Sequence, residues 1–122
     1  MKTLLFTCIV AASSAAHATP PDKKCESVPP WYVLSQPVTV SDVERQAMAK
    51  LPEMLKVRSD IPRVPFGFAN AEWAAFKSMI QPGDKIVEFT TDERAWQHSA
   101  GESGYALIRS RCLVSTFVTI RN

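Results

Sequence analysis

The residue best suited to acid–base chemistry in this sequence is His98, because an imidazole changes its charge near neutral pH. Four polar residues that could act beside it lie close in the chain: Asp92, Ser99, Glu102 and Ser103. A catalytic triad, however, is defined by three-dimensional geometry, and common polar residues are often neighbours in sequence. We therefore favour the ordinary role of a solvated histidine at a helix end, where it interacts with the helix dipole.

Cysteine chemistry depends on Cys25 and Cys112, because the third cysteine, Cys8, lies in an N-terminal segment that we expect to be removed. An even pair of cysteines in an exported protein favours a disulfide. Reactive or metal-binding thiols are the alternative, but this pair lacks a C-x-x-C spacing and a nearby histidine. The sequence therefore predicts a Cys25–Cys112 disulfide.

The glycines at 101 and 104 enclose a short loop that could in principle hold an anion with its backbone N–H groups. Phosphate-binding glycine loops lead into the N-terminus of a helix, whereas this loop is expected to follow a helix and enter a strand. The carboxylates of Asp92, Glu93 and Glu102 do not have the spacing of a calcium-binding loop. We predict neither a cofactor nor a metal site.

Four arginines fall in the last third of the chain: Arg94, Arg109, Arg111 and Arg121. If several of them share a face of a sheet, they form a basic patch that could bind an acidic partner or an envelope polymer. A solvated charged face is the ordinary interpretation of such a set.

The first 18 residues have the pattern of a secretory signal peptide. Lys2 precedes an apolar run from Thr3 to Ala12, and Ala16-His17-Ala18 is a small-x-small cleavage signal. A retained membrane anchor is the alternative, but the apolar run is too short to span a bilayer. We expect a mature protein that begins at Thr19, is periplasmic or secreted, and has no membrane span.

Charge gives no support for nucleic-acid binding. The chain has 14 basic and 12 acidic residues, and Lys2 is the only charged residue within the predicted signal. The mature chain is therefore almost neutral, whereas a nucleic-acid-binding protein is expected to carry a clustered basic face.

Residues 19–40 are predicted to be an extended lead-in, and 41–122 a single α+β domain. Within the lead-in, Trp31–Leu34 could be a short strand at the sheet edge or an apolar plug, and we favour the strand. A first helix is predicted over Ser41–Leu55, where Ser41 and Glu44 have the spacing of a capping box. Pro52 should break this helix near Leu51.

A loop over Val57–Ala69 follows, and its Phe66 and Phe68 are expected to enter the core. Asn70 should cap a second helix, which buries Trp73, Phe76 and Ile80 and ends before Pro82.

The C-terminal third, from Pro82 to Asn122, alternates strand signals with short turn signals. We predict a strand over Ile86–Thr90 and a short helix over Arg94–Ser99, which Gly101 stops in a left-handed conformation. A final hairpin is predicted from the strands Tyr105–Arg109 and Leu113–Ile120. The predicted fold is thus two N-terminal helices packed on a small antiparallel sheet of about three strands.

The turn of the final hairpin is unusual, because Ser110-Arg111 stands where a two-residue turn favours Asn-Gly or Asp-Gly. Both positions of a type I′ turn need φ > 0, which is unfavourable for Ser and Arg. The turn is therefore either longer than two residues or held closed by Cys112.

The same C-terminal unit resembles the tail of certain small exported bacterial proteins, in which it runs G-D, F, W, G-x-x-G, A-L-x-R, a tight turn and T-x-x-N. The residues that carry the resemblance are Gly83-Asp84, Phe89, Trp96, Gly101, Gly104, Ala106-Leu107, Arg109, Val118-Thr119 and Asn122. It covers roughly residues 66–122. The resemblance implies a fold unit and export, but no activity.

These observations favour a non-enzymatic binding module that acts on a protein or an envelope component. Two alternatives remain: a small hydrolase-like enzyme with His98 as general base, and a purely structural envelope accessory. The identity of the partner stays open at this point.

Overall fold

The four strands of the sheet follow one another in chain order, and each pairs with the next in antiparallel fashion. The computed structural model describes residues 25–122 of the chain. Its elements are β1 (Tyr32–Val38), α1 (Val40–Val57), a 3₁₀ turn (Gly67–Ala69), α2 (Asn70–Ser78), β2 (Lys85–Thr91), α3 (Glu93–Gln97), β3 (Glu102–Arg109) and β4 (Cys112–Arg121). The predicted signal peptide, 1–18, and the start of the lead-in, 19–24, lie outside the described residues.

The α+β class is confirmed, but the predicted count of about three strands is wrong. The additional strand is β1, which extends beyond the predicted Trp31–Leu34 and pairs with β2 at the edge of the sheet. Three α-helices are present in the described part of the chain, because the short helix in the C-terminal third forms beside the two N-terminal ones.

The first face of the sheet packs against α1 and α2. Val43 of α1 and Trp73 and Phe76 of α2 are at most 2% exposed. They form one cluster with four sheet residues, Ile86, Tyr105, Leu107 and Phe117. This cluster confirms the predicted buried positions on α2 and constitutes the main core.

The second face carries a smaller cluster of Val87, Phe89 and Ala106. In β2 the side chains alternate between the faces, so that Ile86 contacts the helices whereas Val87 and Phe89 do not. Tyr32 stacks on Phe89 with ring centroids 4.6 Å apart. The adjacent apolar residues Ile86 and Val87 are therefore explained by burial on both faces of β2.

The described part of the lead-in that precedes β1, residues 25–31, connects the two edges of the sheet. Ser27 forms a bridge with Cys112 of β4, and five residues later Tyr32 begins β1 at the opposite edge. Five extended residues reach about 18 Å, whereas these corners of a flat sheet would lie roughly 27 Å apart. The sheet is therefore strongly twisted, and β-bulges in both outer strand pairs increase that twist. Because α1 and α2 occupy the first face, the lead-in crosses the second.

The predicted disulfide is confirmed, since Cys25 and Cys112 are bonded to each other across 87 positions of sequence. Beside it, the N–H of Leu113 donates to the carbonyl of Glu26 at 2.7 Å. The lead-in is thus held at β4 by one covalent bond and by backbone pairing.

The prediction that Pro52 breaks the first helix is wrong, because α1 continues to Val57. Pro52 is exposed and Leu51 is buried beside it, so packing of the inner face keeps the helix together where one backbone hydrogen bond is lost. The N-cap is Thr39, whose Oγ1 accepts from the N–H of Asp42 at 3.1 Å, rather than Ser41. The helix consequently begins one residue before the predicted start.

Two further local predictions are corrected. Phe66 packs in the core as expected, but Phe68 is 59% exposed and lies against the guanidinium of Arg58. The left-handed residue after α3 is Ser99 (φ 57°), while the predicted stop, Gly101, is buried against the indole of Trp96.

Asn70 opens α2 as its first residue, and its side chain donates to the carbonyl of Pro65 instead of capping the helix.

The hairpin turn between β3 and β4 is a two-residue turn with Ser110 and Arg111 at φ 47° and 68°. The unfavourable positive φ values expected from the sequence are therefore present, and the bonded Cys112 follows directly.

Candidate ligand-binding groove

Two adjoining cavities lie between α1 and the sheet, and they share Lys50, Tyr105, Thr119 and Ile120. One measures about 360 Å³ and is lined by hydroxyl and charged side chains as well as by the apolar Val33, Leu34 and Phe89; we call it the polar cavity because it contains the charges. The other measures about 350 Å³ and is lined largely by apolar side chains; we call it the apolar cavity. Together they form one groove, and each cavity has the size of a small-molecule site.

One flank of α1 forms the upper wall of the groove. Gln46, Lys50 and Met54 follow at intervals of four residues, so they lie in one row along the helix. All three line the apolar cavity together with Ala47 and Leu51, whereas Val43 is buried in the core. The groove therefore arises because this flank of α1 overhangs the sheet.

The apolar cavity has an aromatic floor and a half-exposed apolar rim. Phe117 is 3% exposed and packs edge-on against Phe66, with ring centroids 4.8 Å apart. At the rim, Met54 is 47% exposed and Ile120 is 58% exposed. These exposed side chains give an apolar ligand surface to bury.

Besides Tyr105, the polar cavity carries four serine and threonine hydroxyl groups on four different strands: Ser35, Thr90, Ser103 and Thr119. Three are oriented by hydrogen bonds. Ser35 Oγ donates to the carbonyl of Glu88 at 3.2 Å, and Thr119 Oγ1 donates to that of Ser103 at 3.3 Å. Thr90 Oγ1 accepts from Trp96 Nε1 at 3.1 Å. The hydroxyls are thus fixed to the sheet rather than free to rotate into any position.

Two opposite charges line the polar cavity, Lys50 from α1 and Glu88 from β2. Neither takes part in an ion pair within residues 25–122, although six other pairs are formed there. Glu88 is the direct cross-strand partner of Tyr105. Burial, and after it the carboxylate of Glu88, raises the pKa of Tyr105, and the Tyr105 hydroxyl donates a hydrogen bond to that carboxylate.

His98 lies away from the groove. It is exposed at the C-terminal cap of α3, and its side chain has no hydrogen bond to the described part of the chain. The nearby carboxylates have other roles, because Asp92 Oδ1 accepts from the N–H of Ala95 at 3.0 Å and Glu102 pairs with Arg121 at 3.3 Å. The structure does not bring a carboxylate to His98.

The four arginines do not meet at one place. Arg109 ends β3 and pairs with Asp84, and Arg111 lies in the following turn. Arg121 pairs with Glu102 at the opposite end of β3, and Arg94 lies on α3, which precedes that end. The predicted basic residues are therefore divided between the two ends of the sheet.

The residues that carry the family resemblance have structural contacts. Asn122 accepts from the N–H of Gly101 at 2.7 Å and donates to the carbonyl of Trp96 at 2.7 Å. A Cβ at Gly101 would collide with the Trp96 ring, and one at Gly104 would collide with the backbone of Phe117. These residues stabilise the sheet and its connection to α3. The α1 side chains that line the groove are not among them.

The sequence contains a signal for the groove on both α1 and β2. On α1, a row of polar and apolar residues recurs every four positions at Gln46, Lys50 and Met54. This row lies beside the buried positions Val43 and Leu51. Glu88 likewise interrupts a strand in which Val87 and Phe89 are both apolar. A charge in the middle of a strand is a sign that one end of a sheet face remains uncovered.

No known protein family, characterised protein or solved structure matches this chain. Between residues 25 and 122, no cluster of three or more His, Cys, Asp and Glu side chains could hold a metal ion. No helix in that range is long and apolar enough to cross a membrane.

Proposed function

We propose that this protein is a small exported, non-enzymatic binding module whose groove takes an amphipathic small molecule of the cell envelope. The observation that carries the proposal is the continuity of the groove. An apolar cavity and a polar cavity share Lys50, Tyr105, Thr119 and Ile120, so they lie side by side, and the proposed ligand places its two parts in them.

The shape of the site supports a small molecule rather than a protein partner. Cavities of about 350 and 360 Å³ fall within the range of small-molecule sites. A stable protein interface instead buries about 800 Å² on each partner, over a broad surface. A single apolar chain would cover Met54 and Ile120 and would gain roughly 25 cal/mol for each Å² of apolar surface removed from water.

Export is supported by independent features. The Cys25–Cys112 disulfide is of a kind that persists in oxidising compartments. The N-terminal signal pattern and the resemblance to exported bacterial proteins point to the same compartment, periplasmic or secreted.

The test is calorimetric titration of the mature protein with three soluble myristoyl amphiphiles, monoacylglycerol, lysophosphatidylglycerol and lysophosphatidylethanolamine, each below its micelle concentration. We expect saturable binding of at least one of them, and loss of that binding in Met54→Glu, which places a charge at the rim of the apolar cavity. Met79→Glu is the matched control, because Met79 is 40% exposed and lies outside the groove. Absence of binding of all three would refute the proposed function.

A further inference from the structure

We infer that the groove selects a zwitterionic head group, in which a phosphate next to the apolar chain is followed by a terminal ammonium group. This inference rests on the proposed function and deepens it. The ligand class is a single-chain phospholipid with a primary amine. Its apolar chain would lie in the apolar cavity, its phosphate at Lys50 and its ammonium group at Glu88.

The order of the charges along the groove carries the inference. Lys50 lines both cavities and therefore lies at their junction, whereas Glu88 lines the polar cavity alone. A ligand whose chain occupies the apolar cavity meets Lys50 first and Glu88 second. The corresponding order of charges on the ligand is anion first and cation second.

The two charged side chains are available for a ligand. Lys50 is exposed on the flank of α1 and, within the described part of the chain, has no acidic partner, unlike Lys56 and Lys77, whose Nζ atoms each lie 2.9 Å from a glutamate. Glu88 is exposed on β2 and likewise has no cationic partner there. They do not pair with each other either, although both line the polar cavity, and the neutral hydroxyl of Tyr105 is the group that hydrogen-bonds to Glu88.

Other head groups match the groove less well. A purely anionic head would be attracted by Lys50 but repelled by Glu88, since like charges a few ångströms apart cost free energy. A neutral head would form an ion pair with neither charge and would therefore gain no electrostatic attraction. The hydroxyls of Ser103 and Thr119 add hydrogen bonds for phosphate oxygens close to Lys50.

The first test compares the three myristoyl amphiphiles on the wild-type protein. Because the charged groups of the groove are partly solvated, we expect lysophosphatidylethanolamine to bind about fivefold more tightly than lysophosphatidylglycerol and monoacylglycerol. Equal or tighter binding of lysophosphatidylglycerol would overturn the zwitterion inference and leave the proposed function standing.

The second test separates the two charges. Glu88→Gln should weaken lysophosphatidylethanolamine binding about fivefold without weakening that of lysophosphatidylglycerol, whereas Lys50→Gln should weaken both and leave monoacylglycerol unchanged. Lys85→Gln, at the first residue of β2 and outside both cavities, is the control for net charge and should change none of the three. If Glu88→Gln changed all three amphiphiles equally, the assignment of the ammonium group to Glu88 would be wrong.

Discussion

Arg109 binds Asp84 through two parallel hydrogen bonds, with Nε and Nη2 each 2.8 Å from one carboxylate oxygen. The Asp84 side chain is only 1% exposed, and the N–H of Gln81 donates to it as well. Arg109 also donates to the carbonyl of Met79 at 3.1 Å. This pair therefore ties the end of β3 to the turn that connects α2 with β2.

We predict that Asp84→Asn lowers the melting temperature at neutral pH and removes part of the acid sensitivity of the fold. The hydrogen bond from Arg109 is the main reason that the pKa of Asp84 lies below its ordinary value. A lowered folded-state pKa contributes stability that is present above the unfolded pKa of about 3.9 and is lost as pH falls through the folded value.

The measurement is thermal unfolding of both proteins from pH 7 to pH 2. The wild-type protein should melt roughly 5 °C or more above Asp84→Asn at pH 7, and the difference should shrink below about pH 4. Asp60→Asn, which disrupts a pair with Arg58 that is exposed on both sides, is the control and should have little effect. A difference that stayed constant down to pH 2 would contradict this assignment.

We predict that Cys112→Ser strongly destabilises the protein. The disulfide closes a loop of 87 positions, and chain-entropy estimates for such a loop give about 4 to 5 kcal/mol. It also fixes the segment before β1 to the start of β4, where Ser27 pairs with Cys112 and the N–H of Leu113 donates to the carbonyl of Glu26. Denaturant unfolding measures the change, and Cys25→Ser should give the same loss because it breaks the same bond. Two free thiols in the folded, oxidised protein would rule out the bond.

The elements that were predicted correctly are those whose signal is local. The Trp73 and Phe76 positions on α2 and the apolar residues of β2 follow from periodicity alone. β1 was recognised only in part, because Ser35, Gln36 and Pro37 interrupt any alternation, and its existence depends on pairing with β2.

The sequence signals on α1 and β2 do not by themselves place the two halves of the groove together. Lys50 and Glu88 are far apart in sequence, and they line one cavity only through the packing of α1 against the sheet. A single charged residue on a helix flank or in a strand is ordinarily a solvated position. The sequence shows that Gln46, Lys50 and Met54 form a row along α1. It does not show the angle at which α1 crosses the strands.

The hairpin turn provides a test of backbone strain. Ser110 and Arg111 both have positive φ, which is unfavourable for residues with a Cβ. Replacing them with Asn-Gly should stabilise the protein by roughly 1 kcal/mol or more, because Asn and Gly accept these φ values. Denaturant unfolding of the double variant measures the effect. Unchanged or lowered stability would show that side-chain contacts of Ser110 or Arg111 outweigh the strain.

The last prediction is that His98 takes no part in function. Its side chain is exposed at the end of α3, and in the described part of the chain neither a carboxylate hydrogen bond nor the groove reaches it. His98→Ala should therefore leave amphiphile binding unchanged and reduce stability by no more than about 1 kcal/mol, the usual size of a dipole interaction at a helix end.

The experiment pairs the calorimetric titration with a screen of the mature protein against ester, peptide and glycan substrates. Loss of a general base typically lowers a rate by about 10²- to 10⁴-fold. A catalytic role of His98 would therefore appear as a large drop in turnover in His98→Ala. Lys50→Gln serves as the counterpart, because it should weaken binding of the charged amphiphiles while leaving His98 intact. A turnover that disappears in His98→Ala and persists in Lys50→Gln would replace the binding module with an enzyme.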